Sequence, residues 1–118
     1  MNVKRGDVVL TWYPFASGKG GKRRPCVVIQ NDDDNVKIAN TVVAQITGVL
    51  HRRGDKSHVF IDAASPEGKL AGILHDSLVS CNNLATIEQS LIEKVSGSLD
   101  PATMHQVNNS LKAALELP

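Results

Sequence analysis

The sequence predicts a small, mainly β domain of the α+β class: a mostly antiparallel barrel closed by one C-terminal amphipathic helix. Short β-branched runs recur at close spacing, Gly, Pro and Asn/Asp break the segments between them, and clear helical periodicity appears only near the C-terminus. A chain of 118 residues, 42% hydrophobic, supports one core, so residues 1–118 are read as a single domain.

The elements follow in order. Val8 to Tyr13 alternates, with Val8, Leu10 and Trp12 on one face, and Pro14 stops it; Trp12 is assigned to the core on this pattern. Residues 16–23, Ala-Ser-Gly-Lys-Gly-Gly-Lys-Arg, hold little that could anchor them and are expected to form a mobile loop. Cys26 to Gln30 reads as a central strand with Pro25 at its start, where no ladder donor is lost. Asn31-Asp32-Asp33-Asp34-Asn35 reads as a solvated polar turn. Thr41 to Thr47 is a third strand, and His58 to Ile61, Leu78 to Cys81 and Ile92 to Ser96 supply shorter ones. Pro66, Gly68 and Gly72 divide the intervening stretch into loops and one helical turn. Asp100 is an N-cap with Pro101 at the first helical position, and Met104, Val107, Leu111 and Leu115 recur at helical spacing.

Composition narrows the function classes. No apolar run approaches the roughly 18 residues that span a membrane, and Met1 to Asp7 lacks a signal-peptide core. Cys26 and Cys81 are read as reduced, buried thiols. Together these predict a cytoplasmic protein with no membrane partner. The net charge of +1 hides a polarity: residues 1–60 carry ten Lys and Arg against five Asp and Glu, and residues 61–118 carry three against seven. The positive half favours an anionic ligand.

That half contains Gly20-Gly21-Lys22-Arg23-Arg24-Pro25, a glycine-rich cationic loop joined directly to a strand. Glycines allow close backbone approach to a phosphate, and Arg24 stands where the mobile loop meets the rigid strand. If strands 25–30 and 41–47 close a symmetric antiparallel hairpin, Gln30 lies opposite Thr41 and Arg24 opposite Thr47, with Gln45 on the same face as Thr47. A guanidinium beside a hydroxyl suits metal-free RNA cleavage. The ribose 2′-hydroxyl attacks the neighbouring phosphorus, and Arg holds the charge that develops on the non-bridging oxygens. Arg24 is a poor base, so it is assigned transition-state stabilisation, and the general base is unassigned. His51, His58, His75 and His105 lack metal-ligand spacing and are not read as catalytic. No metal site or cofactor is expected. Phe15 and Trp12 are the aromatic candidates for stacking on bases.

Lys4-Arg5-Gly6-Asp7-Val8-Val9, then Gly21 to Asp32 (Gly-Lys-Arg-Arg-Pro-Cys-Val-Val-Ile-Gln-Asn-Asp), then Val43-Ala44-Gln45-Ile46-Thr47 and the closing helix resemble the MazF/PemK family of toxin endoribonucleases, in order along nearly the whole chain. The resemblance implies an SH3-like barrel, a homodimer, and single-stranded RNA bound along a cleft near the subunit interface. It implies sequence-specific, metal-independent and ribosome-independent mRNA cleavage that leaves a 2′,3′-cyclic phosphate and a 5′-hydroxyl. The family's catalytic arginine and threonine map onto Arg24 and Thr47; Lys19, Gly20, Gly21, Lys22, Arg23 and Gln45 are the expected substrate-binding residues. A cognate antitoxin with an acidic tail is the expected protein partner. Two departures stand out: Ser17-Gly18-Lys19-Gly20-Gly21 where members often carry an acidic or amide residue, and Gly48 where bulkier residues are common. The alternatives are a non-enzymatic, gyrase-binding toxin of the CcdB kind on the same barrel, and an inert RNA-binding or scaffold barrel.

Overall fold

Each β-branched run becomes a strand in a computed structural model that describes residues 2–118. Strands β1 (Asp7–Pro14), β2 (Gly21–Val28), β3 (Asn40–Thr47), β4 (His58–Ile61), β5 (Ser77–Glu88) and β6 (Ile92–Ser98) build one six-stranded sheet in the order β4-β5-β3-β2-β1-β6. All its pairings are antiparallel. The β3–β5 pairing slips after Ala44, whose partner is Leu84, so that Gln45 meets Ser80. This bulge adds to the natural twist and curls the sheet until β1 touches β5. The α+β barrel architecture expected from the sequence is observed, with β4 and β6 as edges that do not pair with each other among the described residues.

Alternation splits the apolar residues into two cores. Val8, Val27, Ala44, Ile46, Val59, Ile61 and Val79 point to the outer face, which helix α3 (Pro101–Leu115) covers through Val107, with Met104 and Leu111 alongside. Full burial of a side chain such as Val107 stabilises by about 1.5–3 kcal/mol. Val9, Tyr13, Cys26, Val28, Val43, Ile87 and Ile92 fill the inside of the curl. Both cysteines are free and buried. No described helix is long and apolar enough to cross a membrane.

The helices start where their caps stand. Asp100 accepts from Thr103 N at 3.0 Å ahead of Pro101, and Ser65 accepts from Gly68 N at 3.0 Å to open α2 (Pro66–Ala71). Gly72 ends α2 at φ +72°, and a Cβ there would lie 2.3 Å from Ser96 O; a Cβ on Gly97 would lie 2.4 Å from the Ala71 backbone. Two glycines therefore let α2 and β6 meet backbone to backbone.

Three expectations are corrected. β2 begins at Gly21, so Lys22 and Arg23 belong to a strand and not to a mobile loop. Residues 32–37 form a helix, α1 (Asp32–Lys37), instead of a solvated turn: Asn31 caps it by accepting from Asp34 N at 2.8 Å, and three aspartates fall in the first turn, where the helix dipole favours them. Trp12 is not core. It is 45% exposed, because α3 covers only the Val8 end of the Val8–Leu10–Trp12 face.

Candidate active site

The β1–β2 hairpin presents the cationic segment. Tyr13 pairs with Lys22, Trp12 with Arg23 and Thr11 with Arg24, so Lys22 and Arg24 share the face of Tyr13 while Arg23 takes the opposite one. Arg23 Nε there meets Glu93 of β6 at 3.1 Å. The connecting turn is tied down: Phe15 N donates to Gly20 O at 3.0 Å and Gly18 N to Phe15 O at 2.9 Å. Gly18 and Gly20 both have positive φ, and a Cβ on Gly21 would lie 2.3 Å from Tyr13 O. The glycines thus serve a tight hairpin. Lys19 and Gly20 lie in that turn; Gly21, Lys22 and Arg23 lie on β2.

The β2–β3 register is the one expected from a symmetric hairpin. Cys26 pairs with Gln45, Val27 with Ala44 and Val28 with Val43. Arg24 and Thr47 each follow two residues beyond the Cys26–Gln45 pair, on its face. Pro25 lies within β2 opposite Leu10, but the β3 ladder starts only at Cys26, so its missing N–H costs no bond on that side.

Behind these residues the wall is hydrogen-bonded. The Tyr13 hydroxyl lies 2.8 Å from Asn83 O and 2.6 Å from Asn83 Oδ1, and Asn83 Nδ2 donates to Gln45 Oε1. Gln45 is buried and held within this wall. Burial, helped by the neighbouring Cys26, pushes the Tyr13 hydroxyl up to about 12, while Arg24 pulls the other way. Burial likewise pushes the Cys26 thiol up to about 12 against the pull of Arg24. Arg24 is thus an electrostatic neighbour of both, and it stands over neutral groups that do not cancel its charge.

β5 and β4 continue the face. Gln45, Ser80 and His58 form one row of paired residues, and Thr47, Leu78 and Phe60 the next. A cavity of about 290 Å³ opens here, lined by Thr47, His51, Arg52, His58, Ser80 and Asn82 among others. Thr47 Oγ1 accepts from Val49 N at 3.2 Å, which leaves its proton free for a ligand. Among the described residues, two buried side-chain N or O atoms lack a hydrogen-bond partner: Arg24 Nε and His58 Nδ1. Both belong to this face, and unpaired buried polar atoms are otherwise rare. No group of three or more His, Cys, Asp or Glu suited to a metal ion occurs among the described residues.

Sequence reasoning missed Tyr13, Ser80, Asn82, Asn83 and His58. The β5 bulge brings in Asn82 and Asn83, and a bulge without a glycine leaves little trace in a sequence; Tyr13 and His58 come in through the β1 alternation and the β4–β5 pairing. Gly48, noted above as a departure, has a local reason, since a Cβ there would lie 2.9 Å from His75 Nε2.

Comparisons with known proteins agree with this fold. The family model for the PemK-like, MazF-like toxin of type II toxin–antitoxin systems matches residues 4–115. Endoribonuclease EndoA of Bacillus subtilis is 35% identical over 119 aligned positions, covering 99% of this chain and 97% of that protein. Endoribonuclease MazF of Staphylococcus saprophyticus is 28% identical, covering 98% and 92%. Among solved structures, a mycobacterial endoribonuclease in complex with its cognate antitoxin superposes with a TM-score of 0.74 at 25% identity, covering 98% of this chain and 97% of that one.

Proposed function

Because the chain belongs to the PemK-like, MazF-like family of toxins from type II toxin–antitoxin systems, we propose that it is an endoribonuclease toxin that cleaves single-stranded RNA and is held inactive by a cognate antitoxin. The observation that carries this reading is the β2–β3 register, which sets Arg24 and Thr47 on one face beyond the last ladder pair. Arg24 Nε has no partner in the fold and no carboxylate pairs with this side chain among the described residues, so the guanidinium keeps its charge for a phosphate. It binds the non-bridging oxygens as the 2′-hydroxyl attacks, and the Thr47 hydroxyl adds a second donor. The products are a 2′,3′-cyclic phosphate and a 5′-hydroxyl, and neither a metal ion nor a ribosome takes part. Lys19 and Lys22 hold flanking phosphates. The working form is a homodimer in the cytoplasm, and the antitoxin's acidic tail competes for the same cationic face. A gyrase-binding toxin on this barrel would need neither Arg24 nor Thr47.

The test is digestion of a long RNA by the purified protein in excess EDTA, with the new 5′ ends mapped. Cuts at a short recurring sequence, with ends that a kinase labels directly, are expected. Arg24→Ala and Thr47→Ala should each lose at least about 10²-fold in rate while staying folded. Strict dependence on Mg²⁺, 5′-phosphate ends, or a folded mutant with near wild-type activity would overturn the mechanism.

A further inference from the structure

Cleavage by a 2′-hydroxyl needs a group that removes its proton, and neither Arg24 nor Thr47 is a base near neutral pH. The cavity beside Thr47 offers few candidates. Its ionisable lining residues are His51, His58 and Arg52, and it includes no carboxylate. His51 is exposed on the connection between β3 and β4, whereas His58 is half-buried on β4, paired with Ser80. A base must be held to within a fraction of an ångström, which a strand does better than a loop.

We propose that His58 is the general base of this site, an inference that rests on the endoribonuclease reading above. His58 takes the 2′-hydroxyl proton on an imidazole nitrogen while the 2′-oxygen bonds to phosphorus and the bond from phosphorus to the 5′-oxygen breaks. A water protonates the departing 5′-oxygen, and His58 later returns its proton to the hydroxide left behind, so the enzyme is regenerated. The topology gives the spacing this needs. β4 and β2, which carry His58 and Arg24, are separated by β5 and β3, about 14 Å from backbone to backbone, and the two side chains narrow that gap. A base about 3 Å from the 2′-oxygen and a guanidinium about 3 Å from the phosphate oxygens leave room between them for the sugar and phosphate. His58, in the lining of the cavity beside Thr47, and Arg24, on β2 beyond Thr47, then flank one substrate site from its two sides.

The charges around His58 are mainly cationic. The β3–β4 connection contributes His51, Arg52, Arg53, Asp55 and Lys56; Asp55 is paired with Arg52 at 3.4 Å, and the Arg53 guanidinium lies over the Phe60 ring at 3.6 Å. β5 contributes Cys81, which burial pushes up to about 11 and which points to the other face. α3 packs on that other face against Val59 and Ile61. Two further imidazoles stand near: His51 lines the same cavity, and His75 Nε2 lies 2.9 Å from where a Cβ on Gly48, next to Thr47, would stand.

Single-turnover cleavage of one RNA is measured from about pH 5 to about pH 9 for the wild type, His58→Gln, His58→Asn and His51→Ala, with RNA affinity and thermal unfolding recorded for each. The wild-type rate should rise with pH and then level. Both His58 variants should lose about 10²–10⁴-fold and the rising limb together, while RNA affinity and folding are kept; His51→Ala should keep the limb. A His58 variant that retains the limb, or a His51 variant that loses it, overturns the assignment, as does a rate loss explained by weaker RNA binding. A wild type that cleaves no RNA overturns the endoribonuclease reading itself.

Discussion

Arg23 and Arg24 are consecutive on β2, so their side chains leave opposite faces of the strand. Arg23 reaches Glu93 in a solvent-exposed pair of the kind that contributes at most about 1 kcal/mol, while Arg24 stays on the face of Tyr13. Arg23, expected from the sequence to bind substrate, is therefore the weakest of those candidates. Lys22 shares the face of Arg24, and Lys19 tips the hairpin. Lys19→Ala and Lys22→Ala together should weaken RNA binding and reduce its salt slope by about 0.7 per lost contact, with the rate at saturating RNA nearly unchanged; Arg23→Ala should change the slope far less. Affinities across a salt series check this, and an equal slope change per substitution in the double variant and in Arg23→Ala would return Arg23 to the binding surface.

At the level of elements, the contact between the end of α2 and β6 tolerates no side chain. Gly72 has a positive φ and stands against Ser96 O, so Gly72→Ala meets both backbone strain and a clash and should destabilise by more than about 1 kcal/mol. Asp100→Ala removes the α3 cap and should lower stability as well. Urea midpoints of the two variants measure both. How legible each element was depends on what fixes it. α3 was legible because its cap, its proline and its apolar stripe agree. The β2–β3 register was legible because the pairing is symmetric about the middle of the connection even though α1 fills it, and Arg24 and Thr47 came with it. The start of β2 was not, because Lys22 and Arg23 are held by pairing to β1 and not by any apolar pattern. α1 hid because three aspartates make a poor helix interior but a good first turn once Asn31 caps it. The far wall of the site hid because a β5 bulge decides which of its residues face the cavity.

For the whole molecule, the inner core sets an alkaline limit. Tyr13 and Cys26 have folded-state values near 12 against ordinary values of 10.0 and 9.0. Raising the pH deprotonates the unfolded chain first, so the unfolded state binds fewer protons and stability falls. The contribution is intact below about pH 9 and is lost as pH climbs toward about 12. Unfolding midpoints should be flat on the neutral side of that window and drop across it; a flat profile throughout would mean that neither group is buried as described.

The two ends of the chain are tied together. β1 pairs on one side with β6, Val3 N donates to Gln89 Oε1 at 3.2 Å, and an Arg5 guanidinium nitrogen donates to Asn108 Oδ1 on α3 at 2.7 Å. A nascent chain emerging from the ribosome N-terminus first can thus pair β1 with β2 early, but β1 keeps an open edge until residues 92–98 appear, and α3 comes last of all. Since small domains fold as units during synthesis, the cationic face becomes rigid only once β6 and α3 have emerged. For a protein proposed to destroy messages, that order delays a working active face until well after the residues that carry it have been made.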